Sequence, residues 1–516
     1  MTLNSSWSGA AAAAAAAALI VIMKLSSARR NKAERGGGHE ATPVPPAAPC
    51  PMKEFISNFL GPDGPHYVLD LSRKTGESTF RIPGMRLGAG FFVTTDGAVA
   101  RRVLEHPASV KWAPGNRFFR DTTHNGPNMI TEDGHRWRHV RKSTSRAFSA
   151  PNVKLMVDVI SKVLDEWVEG TLEPAIEAGR ADIDILDEMN IVTSNVITRA
   201  AFDYVLTDEE RERTLRNLET CWEEFGVKAG TNPLRAFPLT RWAFPGVRNA
   251  QRAAAEMYDL CRTMLESYRA KDHLDKSPHK LIHLISEDDE YVDDGERIRD
   301  MIAYVIAGFD TTANTLAFAL LEMAKRPEEQ SELRRALRAS ESKGEEVRSC
   351  PALRRIVRET LRMFPAAASG SVRELGEDIV LPSSGSGSGS GGDSGSGGDS
   401  NSKPKKRVVL PSGAVVISNY YAIQRDGNVY EDPDVFRPER WEDPTDDMLR
   451  SFLTFAAGGR NCQGQALANA ELHEVLARLC GSYEFEVVKE GRAQSLVLYK
   501  PMGTILRVSR AAAAST

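Results

Sequence analysis

Helical periodicity dominates the chain from Met52 to about Arg510. One such pattern covers residues 294–326 and is stopped by Pro327; another follows Gly464, with Ala466, Leu467, Ala470, Leu472, Val475 and Leu476 on helical spacing. Strand-like pieces are few. Two of them, residues 378–381 and 407–410, flank a tract at 383–402 that contains only Ser, Gly, Asp and Asn. A tract of that composition cannot bury enough apolar surface to offset its ordering entropy, so it predicts a solvated loop enlarging a hairpin. The expected fold class is mainly α with small β-sheets. The expected organisation is an N-terminal segment 1–51, one large unit 52–510 with a disordered insertion at 383–406, and a short tail 511–516.

The first segment carries an uncharged run, residues 9–23, with nine consecutive alanines followed by Leu19, Ile20, Val21, Ile22 and Met23, then Lys24, Arg29, Arg30, Lys32 and Arg35. The pattern reads as a membrane anchor with a basic cytoplasmic flank, although it falls short of the roughly 20 residues that span a bilayer. A cleaved signal or organelle-targeting peptide and a low-complexity tail are the alternatives. The Pro-rich piece 42–51 is expected to act as a semi-rigid spacer.

Hydrophobic residues at 41% and charged residues at 26%, with a net charge of −4, exclude a wholly disordered chain, a collagen-like fibre and a polytopic membrane protein. The balance gives no nucleic-acid footprint. The six cysteines form no CxxC pair, which argues against both a disulfide framework and a cysteine-rich zinc site. HExxH, GxSxG and Walker patterns are absent. His135, His139 and His473 read as surface or internally satisfied histidines.

The candidate chemistry gathers around Cys462. The run Phe455-Ala456-Ala457-Gly458-Gly459-Arg460-Asn461-Cys462-Gln463-Gly464 is a glycine-rich loop delivering a cysteine to a helix start. Helix amides there favour a thiolate over a thiol. Gly458 and Gly464 permit close approach to a flat partner, and Arg460 offers charge to a carboxylate. The run resembles the FxxGxRxCxG haem loop of the cytochrome P450 monooxygenases. Other signatures of that family stand upstream in order: Glu359-Thr360-Leu361-Arg362 resembles its ExxR, Phe436-Arg437-Pro438-Glu439-Arg440-Trp441 its FxPxRW, Ala307-Gly308-Phe309-Asp310-Thr311-Thr312 its central-helix acid-alcohol pair, and Trp137 with Arg141 its WxxxR.

The resemblance covers roughly residues 55–510 and implies the family fold, thiolate-ligated haem b and a set of roles. Cys462 would ligate the iron. Glu359, Arg362 and Arg440 would form a buried structural network. Trp137, Arg141 and Arg373 would hold the haem propionates, and Phe455 would shield the sulfur. Thr311 would offer its hydroxyl to dioxygen, Asp310 would pass protons inward, and Gly308 would leave room for ligand and water beside the helix. The small residues 366–370 would face the cavity, and residues 112–131 and 225–245 would form its access regions.

The implied activity inserts one oxygen atom of O2 into a lipophilic substrate, by default a hydroxylation. No flavin or nucleotide segment is evident, so electrons would come from an NADPH-dependent flavoprotein reductase or a ferredoxin. Endoplasmic reticulum placement with a cytosolic catalytic domain follows from the anchor, with plastid or mitochondrion as alternatives. Two other function classes stay open: a haem-thiolate isomerase or peroxygenase, and a non-catalytic haem sensor. The Gly/Ser tract departs from the family pattern and stretches the separation of Glu359 from Cys462.

Overall fold

The computed structural model describes residues 44–84, 89–342, 346–381, 408–495 and 497–512. The candidate anchor and the Gly/Ser tract lie outside them. The long helix Asp294–Ala324 forms the axis of the molecule. Asp293 caps it by accepting the Glu296 amide at 2.8 Å, and Pro327, whose missing N–H suits a helix start, opens the next helix, Pro327–Ser342. The axial helix stays continuous through Gly308 and three threonines. The hydroxyls of Thr311, Thr312 and Thr315 donate to the carbonyls of Ala307, Gly308 and Thr311 at 2.8, 3.1 and 2.9 Å, so each polar group is satisfied within the helix.

Nearly every side chain of this helix from Ile298 onward is buried, against helices Ile185–Phe202, Pro245–Arg269 and Gln465–Ser482. The apolar core spreads from this seam. A five-stranded sheet flanks the helical body, in the order Thr79–Arg81, Phe91–Thr94, Val415–Ser418, Ser371–Leu375, Ser109–Lys111. A second apolar cluster joins it to the helices through Phe318, stacked on Phe364 at 4.2 Å.

The strands Ile379–Val380 and Val409–Leu410 pair antiparallel, so the chain on either side of the Gly/Ser tract does meet as a hairpin. The unit begins earlier than Met52. Arg81 exchanges backbone bonds with Pro46 and Ala48 at 2.7 and 2.8 Å, and Ala48 and Cys50 are buried. This part of the Pro-rich piece therefore packs on the sheet edge and is not a free spacer. Among the described residues, the helix Asp294–Ala324 alone is long and apolar enough to cross a membrane, and it is the core helix.

Candidate active site

The cysteine loop is held from three sides. Its own backbone closes first: the Cys462 amide donates to the Phe455 carbonyl at 2.8 Å, across a turn in which Gly458 takes φ +70°. A Cβ on Gly458 would stand 2.6 Å from the Leu104 carbonyl, so glycine is required twice over, for conformation and for space. Arg141, on helix Gly134–Ser145, donates to the Asn461 carbonyl at 2.9 Å and to its Oδ1 at 2.6 Å. Gln463 donates to Thr144 at 2.9 Å and accepts from Tyr304 of the axial helix at 3.3 Å.

Behind the loop, Glu359 and Arg362 are wholly buried on helix Pro351–Met363. The Glu359 carboxylate accepts from Arg362 Nε and Nη2 at 2.9 and 2.8 Å, Arg440 Nε at 3.0 Å, Trp441 Nε1 at 2.8 Å and the Arg437 amide at 2.9 Å. Burial alone would raise this carboxyl, but Arg362, the Arg437 amide and Arg440 outweigh it and the net direction is down. The expected Glu-Arg-Arg network is present. Trp441 and the Arg437 amide complete it, and spacing gave no sign of either contact.

Gln424 links this network to the loop. Its carbonyl accepts from Arg362 at 2.7 Å, while its Oε1 accepts from the Leu453 amide at 3.0 Å and the Thr454 hydroxyl at 2.9 Å, immediately before Phe455.

Cys462 is exposed and opens on a cavity of about 330 Å³ between the loop and the axial helix. Thr311, Thr312, Thr315, Ala307, Trp137 and Phe455 also line it. The helix begins only at Gln465, so the sulfur lies ahead of its first turn; the surrounding loop raises the thiol, opposed by the Gly464 amide and Arg141, while the residue faces the open cavity. A Cβ on Gly464 would meet nothing within 4 Å, so open space lies beside that residue.

One wall concentrates cations. Strand register sets Lys111 directly opposite Arg373, a like-charge cross-strand pair that is unfavourable without an anion between. Arg373 is 1% exposed, and its Nη2 has no hydrogen-bond partner. Burial, Arg373 and Arg460 push the Lys111 amine down to about 7 against the pull of Asp133. Arg460 pairs with Asp133 and lies 3.6 Å over the Trp137 ring, so the cation on that tryptophan is Arg460 and not Arg141. Lys111 had no sequence signal, because its partner is set by strand register.

The axial helix and the segments beyond it divide the expected residues between cavity and core. Asp310 does not enter the cavity. It is 1% exposed and held by Lys500 at 2.9 and 3.1 Å and Asn314 at 3.3 Å, since adjacent helical residues point about 100° apart and Thr311 takes the cavity side. Gly308 lines the cavity, and its missing side chain also leaves room for Ile197, whose Cγ1 lies 2.6 Å from where a Cβ would stand. Of residues 366–370 only Ala366 and Ala367 line the cavity. Ala368 is in the core, and Gly370 turns the chain at φ +83° against the Ser418 carbonyl. From the access regions Met129 and Ile130 reach the cavity; Phe225 is buried, while Leu239 and Trp242 are exposed on the surface.

Comparison with known proteins then decides the family. The profile described as Cytochrome P450 matches residues 45–384 and 405–506, leaving out most of the Gly/Ser tract. The chain belongs to the cytochrome P450 family. It is 25% identical over 381 residues to cytochrome P450 4F8 of Homo sapiens, covering 68% of each chain, and 24% identical over 516 residues to cytochrome P450 6a2 of Drosophila melanogaster, covering 90% of this chain and 94% of that one. A crystal structure of a cytochrome P450, CYP102L1, superposes with a TM-score of 0.71 at 18% identity over 92% of this chain and all of the other. Thiolate-ligated haem is the cofactor of this family, and monooxygenation its enzymatic activity.

Proposed function

We propose that the chain is a membrane-tethered monooxygenase that places one oxygen atom of O2 into a lipophilic substrate, by default as a hydroxyl group. The observation that carries this reading is the cavity with Cys462 on one face, Thr311 on the other and, at its side, a cluster in which Lys111, Arg373 and Arg460 face one carboxylate, Asp133. The residues fit haem b. The orphaned Nη2 of Arg373 and the amine of Lys111 call for carboxylates, which two propionates supply, and Arg141, Arg460 and Trp137 frame the same edge. Cys462 would ligate the iron. Bound there, thiolate-ligated haem supplies the activation of dioxygen.

This chain's own residues then set the rest. Ile130, Ile197, Ala303, Ala307, Ala366 and Ala367 give the cavity an apolar wall suited to a lipophilic substrate. Phe455 and the Glu359 network keep the cysteine loop from shifting. Electrons enter from a separate redox protein, flavoprotein or ferredoxin. A surface hollow of about 700 Å³ that includes Arg354, Arg355 and Arg358 reaches Phe455 from the outer side, which suits an acidic partner. The exposed Leu239 and Trp242 and the apolar run at residues 9–23 support membrane contact, with the endoplasmic reticulum as the site.

The test is the carbon-monoxide difference spectrum of the dithionite-reduced, haem-loaded protein beside Cys462→Ser. A strongly red-shifted thiolate band, lost in the variant, is the expected result. An imidazole-like band in undamaged wild type overturns the ligand assignment and the monooxygenase reading together.

A further inference from the structure

A second, smaller cavity lies on the far face of the axial helix. Residues two apart on a helix point about 200° from one another, so Val305 and Phe309, which line it, look away from Ala307 and Thr311, which line the reaction cavity. Leu206, Leu215, Leu260 and Met264 complete an apolar wall drawn from helices Asp208–Cys221 and Pro245–Arg269 and the turn before them. The centre of a water-sized body has about 10 Å³ to move in, close to the lower limit for holding one small molecule. Water is poorly served there. The Ser194, Thr198 and Thr214 hydroxyls on its border donate to the carbonyls of Ile191, Ser194 and Glu210 at 3.1, 2.9 and 2.7 Å, and the Arg211 guanidinium pairs with Asp208. A buried water keeps its place through about two to four polar partners, whereas an apolar void stays dry and accepts apolar guests.

We propose that this cavity is a holding site for dioxygen on its way to the reaction cavity. The inference rests on the monooxygenase reading above, which makes O2 a substrate. An apolar diatomic needs no hydrogen bond and fits where a single water would. The two cavities adjoin at one helix crossing. Gly308 and Ile197 line the reaction cavity, while their chain neighbours Phe309 and Thr198 line the small one. The Thr193 hydroxyl pins the crossing by donating to the Phe309 carbonyl at 3.1 Å, and Ile197 fills the notch that Gly308 leaves. The partition at the crossing is thus one aliphatic side chain set against a glycine. A rotamer hop of Ile197, of the kind that packed interiors permit, opens a passage for a molecule of this size. No bond forms or breaks in the small cavity; it keeps O2 beside the axial helix, out of the space the organic substrate occupies.

The test uses the haem-loaded protein, reduced and bound to carbon monoxide, with 13C-labelled methionine methyl groups and xenon as the apolar probe. The Met264 methyl resonance should shift with xenon pressure, while that of Met323, buried further along the axial helix, should stay in place. Val305→Ile adds one methyl group at the wall of a void that holds little more than that, and it should abolish the Met264 shift. When carbon monoxide is flashed off in the presence of O2, Val305→Ile should take up O2 more slowly than wild type, with the thiolate band intact. Leu260→Phe fills the void from the facing helix and should act alike; it decides if Val305→Ile fails to load haem. The proposal falls if Met264 does not respond to xenon, if it responds equally in the filled variants, or if those variants take up O2 at the wild-type rate. A wild type without the thiolate band condemns the monooxygenase reading, and this proposal with it.

Discussion

Replacing Glu359 by alanine removes one carboxylate and strands five donors. Two of them belong to the Arg362 guanidinium, which has no exposure at all, and a third to Arg440, whose side chain is 3% exposed. Arg362 keeps carbonyl acceptors on Gln424 at 2.7 Å, Pro433 at 2.8 Å and Val435 at 3.3 Å, but these satisfy hydrogen bonds and do not cancel charge. Breaking a buried ion pair from one side costs about 3 to 5 kcal/mol, a large part of the roughly 5 to 15 kcal/mol that holds a domain folded. The strain reaches the cysteine loop through Gln424 and Thr454, so haem content should fall at least about tenfold, the equivalent of about 1.4 kcal/mol of that cost appearing at the site. Urea unfolding of the apoprotein measures the first quantity, and haem-to-protein ratio after reconstitution the second. Glu359→Gln, which keeps an acceptor but no charge, should fall between the two. Because the folded-state carboxyl sits below its ordinary value, the contribution of Glu359 is complete above about pH 4.3 and is lost as pH falls through the lowered value. Normal haem content in Glu359→Ala, with unfolding within about 1 kcal/mol of wild type, would refute the view that this network braces the loop.

Three other perturbations follow from particular contacts. Haem binding should take up a proton at Lys111, since an amine at about 7 without the propionates rises toward its ordinary value beside them; affinity is then highest below pH 7 and falls as pH rises, and Lys111→Met should flatten that slope in haem titrations. Asp300, raised from 3.8 to about 6 by burial in spite of Arg136, Tyr291 and the Met129 amide, favours folding below about pH 4 and loses that contribution as pH rises through 6; the span is roughly 3 kcal/mol, and urea midpoints of Asp300→Asn should lack it. Gly458→Ala should cost at least about 1 to 2 kcal/mol from the left-handed backbone alone, and the clash with the Leu104 carbonyl should lower haem loading; a fully loaded variant would mean that the loop has slack.

What the sequence made legible was local or carried by contiguous motifs. The turn before Cys462 follows from a glycine at a position where only glycine fits, and the pairing of Glu359 with Arg362 follows from helical spacing. Arg440 was also placed correctly, but through family resemblance rather than pattern. Side-chain direction in the axial helix was harder. Asp310 and Thr311 are neighbours in sequence but face different surroundings, and Lys500, the partner that claims Asp310, comes from a distant hairpin strand. Lys111 meets Arg373 only through strand register. A glycine in mid-helix signals close approach, but spacing could not show that Gly308 both borders the cavity and receives Ile197.

The same geometry explains why a long polar tract is tolerated between the ExxR helix and the cysteine. The strands Ser371–Leu375 and Val415–Ser418 pair directly, and Gln424, just beyond the second, is bonded back to Leu361 and Arg362 at 3.3 and 2.8 Å. The path from Glu359 to Cys462 therefore runs through side-chain contacts and not along the intervening chain. Extra residues entering beyond the small hairpin Ile379–Val380 and Val409–Leu410 lengthen a closed loop, and closure entropy grows only with the logarithm of loop length. At the other end, Asn461 and Gln463 are gripped from outside the loop, by Arg141 and Thr144 of helix Gly134–Ser145 and by Tyr304 of the axial helix, and Cys462 by the Phe455 carbonyl of the loop itself. A sulfur held between one neighbouring helix, the axial helix and its own loop keeps its position whatever the length of chain between the motifs.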